Sequence, residues 1–267
     1  MKKRLHLFEF HDQPWFPALW RDYLTDFMSL YAVRFRPYRA VVPVLLPMLS
    51  AESRMVDLCS GAGGPVEALI LACRDEGNGA FAGLRVALTD KFPNPEAYRD
   101  LQSRWPAHVS FVESPVDATC VPPDLAGFRT LFTAFHHFRP ETARAVLADA
   151  VTRQQPVGVF EYTERSLRRW ALPLLCSPLL LWAVTPSLKP FRWGRLFWTY
   201  VLPVIPLAGI WDGAVSCLRT YSPEELLWLA RSADPAGGFE WQAGKLRSRG
   251  APNVTYLVGK PAGAAGC

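Results

Sequence analysis

The sequence predicts an α/β fold organised around a doubly wound parallel sheet. From Met55 onward, short apolar segments alternate with segments of helical periodicity, which is typical of parallel strands joined by helical crossovers. A turn of small residues, 59–64, connects the first strand to a helix that begins near Pro65. Two further apolar segments, 239–247 and 253–259, flank a turn and predict an antiparallel hairpin.

Composition narrows the class of protein. The chain has 267 residues, of which 50% are hydrophobic and 20% charged, so it can bury a sizeable core and is neither disordered nor a multi-span membrane protein. Its six cysteines are scattered without a C-x-x-C pair, which favours free thiols in a cytoplasmic protein over disulfides or a zinc site. No long apolar run follows the basic N-terminus, so we expect no signal peptide.

Residues 1–50 are predicted to form a helical cap on the domain at 51–267. Large apolar side chains recur at helical spacing between Trp20 and Tyr31, so one helix face should be buried against the sheet. The segment that we expect to cover a site is 10–20, which contains His11, Asp12 and Trp15.

The remaining strands and helices follow in a regular order. Helices are expected where proline stands at a first helical position, because its missing N–H and fixed φ suit the first turn. Ser222, Pro223 and Glu225 give the clearest signal, a capping box. The predicted strands are 54–58, 84–90, 109–112, 131–135 and 157–161, and the predicted helices are 38–49, 65–75, 94–105, 140–153 and 223–231.

The glycine-rich turn after the first strand predicts a ligand site, with a tight turn that binds nothing as the alternative. Glycines accept positive φ and let a ligand approach bare amides at the start of a helix. Val66 stands where a dinucleotide fingerprint has its third glycine, and the Lys-Ser/Thr pair of a phosphate-binding loop is absent. The stretch instead resembles motif I of the small-molecule class I S-adenosylmethionine (SAM)-dependent methyltransferases, through Asp57, Gly61, Gly63 and Gly64, with Cys59 where the motif has its first glycine.

This resemblance, over about 55–163 and 220–260, implies a Rossmann-like fold with a seven-stranded mixed sheet and SAM as the cofactor. In the family, an acid that ends the second strand binds the ribose hydroxyls, and a carboxylate suits this role because it accepts two hydrogen bonds. Asp90 and Asp117 match acids of the family, although each also fits an ordinary turn. The implied cofactor-binding residues are Asp57, Cys59, Gly61 and Gly63 at the amino-acid end, Asp90, Lys91 and Phe92 after the second strand, and Asp117 and Ala118 near the adenine.

Two adjacent histidines end the predicted fourth strand, which is similar to a feature of small-molecule class I methyltransferases. Ligands bind at the carboxyl ends of parallel strands, and a histidine there can act as a base near neutral pH. Adjacent side chains on an extended backbone point to opposite sides, so we expect only one of the two rings to enter the pocket. Of the two, we favour His136. Alternatively both rings are structural and catalysis rests on proximity alone. The expected catalytic residues are His136, His137, Glu161 and Tyr162, and no metal site is expected because no compact ligand cluster is visible in the sequence.

The segment 165–219 is predicted to be a hydrophobic insertion. Its part 165–211 contains six basic residues, five tryptophans and no acidic residue. Its two apolar runs are shorter than the ~20 residues of a spanning helix and contain prolines, so no membrane span is expected. It should form a cap over a hydrophobic pocket or a surface that contacts a membrane, with its cations facing phosphate, carboxylate or headgroups. Its aliphatic composition argues against binding to nucleic acid.

These features predict a SAM-dependent methyltransferase that moves a methyl group to an O, N or C nucleophile of a small hydrophobic acceptor, such as a lipid, quinone, terpenoid or polyketide-like molecule. The expected location is the cytoplasm, at the inner membrane surface if 165–211 contacts lipid. One alternative is a non-catalytic SAM- or nucleotide-binding module that docks on a membrane or partner through 165–211. A nicotinamide-dependent oxidoreductase is a second alternative, which Val66 and the hairpin disfavour. The sequence leaves the oligomeric state open.

Overall fold

Seven strands form one mixed sheet in the computed structural model, which describes residues 4–49, 54–75, 83–166, 178–247 and 252–263. The strands are β1 (Arg54–Leu58), β2 (Arg85–Thr89), β3 (Val109–Phe111), β4 (Phe128–Phe132), β5 (Val157–Glu161), β6 (Phe239–Leu246) and β7 (Val254–Pro261). Their order is β3-β2-β1-β4-β5-β7-β6, in which β7 is antiparallel to both neighbours and the other pairs are parallel. The predicted fold class, a doubly wound mixed sheet of seven strands with a terminal antiparallel hairpin, is confirmed, and the last strand lies beside the fifth.

The predicted bounds agree with the structure for β1 and β5 and differ most for β4. The prediction placed this strand at 131–135, whereas it ends at Phe132. Thr133 has a left-handed backbone with φ 48°, which ends the extended segment, and the chain then forms a 3-10 turn over Phe135–His137. Phe135 is buried in this turn, so its apolarity alone did not distinguish a turn from a strand.

Helices pack on both faces of the sheet. Met55 and Val56 are neighbours in β1, yet they belong to different hydrophobic cores because successive strand residues point to opposite faces. The Ser222–Glu225 capping box is present at the start of the last helix, as predicted. The longer helices are α1 (Ala18–Phe35), α2 (Gly64–Asp75), α3 (Pro95–Arg104), α4 (Pro140–Thr152), α5 (178–184), α6 (Val204–Arg219) and α7 (Pro223–Ala233).

The segment predicted as a helix at 38–49 is helical over 37–48, but it is not one continuous α-helix. Pro43 and Pro47 each lack the N–H that a continuous helix would use, so they interrupt the hydrogen bonding of this segment. The chain forms three short helical turns instead, Pro37–Val41, Val42–Leu45 and Leu46–Met48.

Helix α1 lies against α2 and attaches the N-terminal layer to the sheet domain. A Cβ on Gly64 would lie 2.3 Å from the Cα of Ser29, so the two helices approach more closely than any larger residue permits. The division of the chain into a cap at 1–50 and a domain at 51–267 stays a prediction.

The described part of the insertion, 178–219, packs on α1 rather than directly on the sheet. Leu181, Ile205 and Ala208 are buried together with Leu24 and Phe27 of α1. The other side of the insertion leaves large apolar residues exposed, among them Leu179, Trp182, Trp193, Phe197, Val201 and Leu207.

The basic residues of the insertion were expected to face phosphate, carboxylate or headgroups, and for three of them this is wrong. Each pairs with an acid from another part of the chain, which the acid-free local sequence does not reveal. Residues 167–177, with two further arginines, lie outside the described residues. The pairs are Arg165 with Glu225, Arg192 with Glu96, and the buried Arg195 with Asp26.

Within the described ranges, no single helix is long and apolar enough to cross a membrane. One pair of helical segments, Trp193–Val201 and Val204–Arg219, reaches the required length and apolarity together, but the two are bent by 75° relative to each other. Among the described cysteines, Cys59 and Cys120 are free thiols.

Candidate active site

A cavity of about 980 Å³ opens along the carboxyl ends of β1, β2 and β4. The N-terminal segment, α1 and α6 form its other walls, so the predicted cap and the insertion both contribute. Apolar side chains line the part between α1 and the insertion. They include Leu24, Phe27, Met28, Leu180, Leu181 and Pro206.

The turn after β1 has the left-handed backbone that its glycines suggested. Cys59, Gly61 and Gly63 all have positive φ, at 62°, 57° and 76°. Cys59 therefore adopts a conformation that favours glycine, at the position where the resemblance expects one. It lines the cavity, and burial raises the pKa of its thiol well above the usual value. Gly61 also lines the cavity, and its N–H donates to Asp90 Oδ2 at 2.8 Å.

Asp90 links the end of β2 to this turn and lines the cavity. Its second oxygen, Oδ1, accepts the N–H of Phe92 at 2.8 Å, and burial raises the pKa of its carboxyl. Each carboxylate oxygen has a further lone pair, so Asp90 can still accept from two hydroxyl groups. Asp90 therefore lies beside the glycine turn and faces the cavity, and its contact with a ribose stays a prediction.

Asp57 and Gly63 lie behind the turn and do not line the cavity. Asp57 Oδ1 accepts the hydroxyl of Thr130 at 2.8 Å, and burial raises the pKa of Asp57 to about 7. A Cβ on Gly63 would lie 2.6 Å from Leu101 Cδ2. Both residues therefore shape the turn from its buried side.

The residues expected near ribose and adenine line the far part of the cavity. Asp117 Oδ1 accepts the N–H of Thr119 at 2.8 Å and its hydroxyl at 2.7 Å, and these hydrogen bonds lower the pKa of Asp117. The Arg21 guanidinium stacks on the ring of Phe92 at 4.3 Å. The predicted residues found here are Lys91, Phe92, Asp117 and Ala118.

Both histidines line the cavity, so the expectation that only one ring enters the pocket is wrong. The backbone at Phe135–His137 is a 3-10 turn rather than an extended strand, and it sets the two rings side by side with centroids 4.3 Å apart. His136 is buried, and its Nδ1 lies 2.8 Å from Glu161 Oε2. Its Nε2 has no hydrogen-bond partner among the described residues. Burial favours a higher pKa for Glu161, but the His136 ring holds that pKa below its usual value.

His137 has a different electrostatic environment. Its Nδ1 lies 2.7 Å from Asp12 Oδ1 and 3.3 Å from Glu9 Oε2. Burial alone would lower its pKa, but the Glu9 and Asp12 carboxylates raise the pKa of His137 to about 10. At neutral pH this ring is a cation, so it is not available as a base.

An ion-pair network fixes the N-terminal segment to α6. Arg219 pairs with Asp12 and lies 3.3 Å from Glu9 Oε1, and Asp212 accepts the N–H groups of Phe10 and His11 at 2.7 and 3.1 Å. Sequence reasoning missed Glu9, Arg219 and Asp212. The one local signal was a charged residue, Glu9, between two phenylalanines.

Only some of the residues expected in a lid over the site contact the cavity. His11 and Asp12 line the cavity, whereas Trp15 is 65% exposed and does not. Tyr162 lines the cavity beside Tyr31, with ring centroids 5.5 Å apart, and burial raises the pKa of Tyr162 well above its usual value. The hydroxyl of Tyr162 therefore stays neutral.

Glu9, His136 and His137 also form the kind of group that holds a metal ion, with one ligand atom of each within 4.8 Å of the others. The sequence did not show this group, because Glu9 is far from the histidines along the chain.

No family model and no curated protein matches this sequence. Solved structures are similar at low identity. The plantazolicin methyltransferase BpumL, in complex with S-adenosylhomocysteine (SAH), has a TM-score of 0.52 at 9% identity, over 91% of this chain and 96% of that one. A candidate O-methyltransferase from Nostoc punctiforme has a TM-score of 0.51 at 13% identity, over 89% of this chain and 59% of that one. The mitomycin 7-O-methyltransferase MmcR has a TM-score of 0.50 at 16% identity, over 95% of this chain and 59% of that one.

This chain thus spans less than two thirds of the length of the Nostoc protein and of MmcR. The common feature is the fold, a seven-stranded mixed sheet with helices on both faces.

Proposed function

We propose that this chain, which has the class I methyltransferase fold, is a SAM-dependent methyltransferase that acts on a small hydrophobic acceptor. The observation that carries the proposal is one continuous cavity. It joins the glycine turn and Asp90 at one end to the buried His136–Glu161 pair and an apolar wall at the other.

The cofactor half of the cavity fits SAM by the chemistry of its donors and acceptors. SAM, when bound, supplies the electrophilic methyl group. The backbone at Cys59 and Gly61 would contact its amino-acid end, because left-handed residues open the turn there to a ligand. Asp90 would accept the ribose hydroxyls, and Asp117 with Ala118 would contact the adenine.

The acceptor half provides a base and a fixed positive charge. We infer that His136 Nε2 accepts the proton of the acceptor, because Glu161 holds the proton of the ring on Nδ1 and leaves Nε2 with a free lone pair. The protonated His137 remains beside it as a cation that orients acidic or hydroxyl groups. Tyr162 would contribute to the wall of this half.

The acceptor is expected to be apolar or amphipathic, because Leu24, Phe27 and Leu181 supply the wall between α1 and the insertion. A lipid, quinone, terpenoid or polyketide-like molecule has this character. Transfer to oxygen agrees best with a base at His136, since a hydroxyl needs to lose a proton.

The test combines binding and turnover. Calorimetry with SAH and with NAD, as the cofactor of the competing oxidoreductase, should give binding of SAH alone. Formation of SAH from SAM in the presence of hydrophobic hydroxyl compounds would distinguish an enzyme from a non-catalytic SAM-binding module. Absence of SAH binding contradicts the proposal.

We further propose that the outer side of the insertion rests on a membrane surface. Trp193 is 77% exposed and Val201 65%, at the two ends of one short helical segment. Large apolar side chains exposed this close together along the chain suit contact with a membrane interface. Leu180 and Leu181, from the same insertion, line the cavity, so a lipid-soluble acceptor would have a short path from the membrane.

A further inference from the structure

Glu9 and two histidines from a distant part of the chain, His136 and His137, lie close together in the cavity wall. Glu9 Oε1 lies 4.0 Å from His136 Nε2, and Glu9 Oε2 lies 3.3 Å from His137 Nδ1. Ligand atoms that share a zinc ion are ~3.3–3.5 Å apart at the tetrahedral angle, given bonds of ~2.0–2.2 Å, and farther apart at wider angles. The 3.3 Å separation fits the tetrahedral angle and the 4.0 Å separation fits a wider one, and one ligand atom of each of the three residues lies within 4.8 Å of the others.

The unpaired nitrogen of His136 is a second, independent indication of a ligand. The side chain is only 2% exposed, yet Nε2 has no hydrogen-bond partner among the residues that the structure describes. Buried nitrogens are normally paired. Glu161 binds the opposite nitrogen of the ring, and such a carboxylate is what orients metal-binding histidines in proteins.

The carboxylate of Glu9 is also fixed by contacts with α6. Arg219 Nη1 lies 3.3 Å from its Oε1, and the hydroxyl of Ser216 donates to the same oxygen at 3.2 Å. The carboxylates of Glu9, Asp12 and Glu161 surround the point, and the cations beside them are Arg219 and the protonated His137 ring. Once His137 binds an ion as a neutral ring, three carboxylates face one guanidinium, which favours a further cation.

We propose that Glu9, His136 and His137 bind one divalent ion of the zinc type, with a remaining coordination position open to the cavity. His137 contributes Nδ1 and releases its proton to water when the ion binds. Two imidazoles and one carboxylate suit Zn²⁺ or Co²⁺, whereas Mg²⁺ prefers oxygen ligands alone.

The site itself does not depend on the proposed function, but its role in the chemistry does. A bound ion uses the Nε2 lone pair that His136 would need as a base, so the two roles exclude each other in one molecule. The ion would replace the base, because a hydroxyl in the open position has a lowered pKa and loses its proton to water. This narrows the acceptor to a molecule with a hydroxyl group at the methylated position.

The test is a metal titration of the full chain after treatment with a chelator. Zn²⁺ is followed by calorimetry and Co²⁺ by absorption, which separates nitrogen and oxygen ligands from the thiolates of the cysteines. We expect one ion per chain. His136→Gln and Glu9→Gln should each weaken metal binding at least tenfold. His108 lies outside the cavity, so His108→Gln should leave the metal affinity unchanged.

Each protein is also titrated with SAH, so that a folded variant can be recognised by its retained cofactor binding. If Glu9→Gln fails to fold, His136→Gln decides the question. Absence of a bound ion in the wild type, or equal affinity in the wild type and His136→Gln, overturns the metal site. Wild-type protein that binds the ion but no SAH overturns the proposed function and leaves the site intact.

Discussion

His136 Nδ1 lies 2.8 Å from Glu161 Oε2, and both side chains are buried. Glu161 ends β5, and His136 lies in the 3-10 turn that follows the neighbouring strand β4. Glu161 Oε1 also accepts the backbone N–H of His136 at 3.1 Å, so one carboxylate fixes both the ring and its backbone. His137, the next residue, is instead a cation between Glu9 and Asp12. The two adjacent histidine rings thus have different carboxylate partners, Glu161 for His136 and the pair Glu9 and Asp12 for His137.

Replacement of His136 by alanine is expected to slow methyl transfer by ~10²–10⁴-fold, because the acceptor loses its proton acceptor. The affinity for SAH should change little, since Asp90 and the glycine turn lie in the other half of the cavity. Single-turnover rates and calorimetry measure the two quantities. A loss under tenfold in His136→Ala, in His137→Ala and in the double variant would favour catalysis by proximity alone.

Asp90→Asn should weaken SAH binding by about 1.5–3 kcal/mol, because it removes a charged acceptor of hydrogen bonds from the cavity. Asp57→Asn is the matched control. Asp57 lies behind the turn, so this variant should bind SAH as the wild type does. Calorimetry on the three proteins compares them. Unchanged affinity in Asp90→Asn removes that residue from the site, and a large loss in Asp57→Asn would mean that the turn reorganises around the ligand.

The pH dependence of stability should report the buried carboxyl of Asp57. Burial raises its pKa to about 7, above the ~4 of an unfolded chain, so the folded state holds a proton that the unfolded state releases. The free energy of unfolding therefore falls as pH rises from about 4 through 7. Relative to the wild type, Asp57→Asn should gain about 2–3 kcal/mol between pH 5 and pH 8. Urea unfolding tests this, and parallel pH profiles of the two proteins would contradict it.

Gly64→Ala should destabilise the protein by about 1–3 kcal/mol, because its Cβ would lie 2.3 Å from the Cα of Ser29 and force α1 away from α2. Gly238→Ala is the control, since the nearest atom to its Cβ would be Asp234 Oδ1 at 3.8 Å. Thermal unfolding of both variants measures the difference. Equal melting temperatures would mean that the interface of α1 and α2 is not tightly packed.

The proposed membrane surface predicts binding through apolar side chains. Trp193→Ser combined with Val201→Ser should abolish flotation with liposomes, and neutral and anionic liposomes should differ little. Arg192 and Arg195 already pair with Glu96 and Asp26, so replacing these arginines by glutamate should destabilise the fold rather than report headgroup contact. Strong binding to anionic liposomes only, insensitive to the serine variants, would assign the contact to other residues.

Features with local causes could be predicted from the sequence. Proline and the Ser222 cap set the beginnings of helices, and the small residues before Pro65 set the turn after β1, because these preferences act within a few residues. The alternation of elements predicted a parallel sheet with a terminal hairpin, and the resemblance to class I methyltransferases implied the seven-stranded mixed sheet. Asp90 follows the second strand and lines the cavity, while its role in binding the cofactor stays a prediction.

The tertiary structure alone decided what depends on residues far apart in the chain. Asp57 and Asp90 both lie near the carboxyl ends of apolar strands, yet only the packing of Thr130 against Asp57 shows that this acid faces away from the cavity. The charge on His137 depends on Glu9 and Asp12, and both lie more than a hundred residues before it in the sequence. A pKa is set by burial and by charges within a few ångströms in space, and neither quantity is local in sequence.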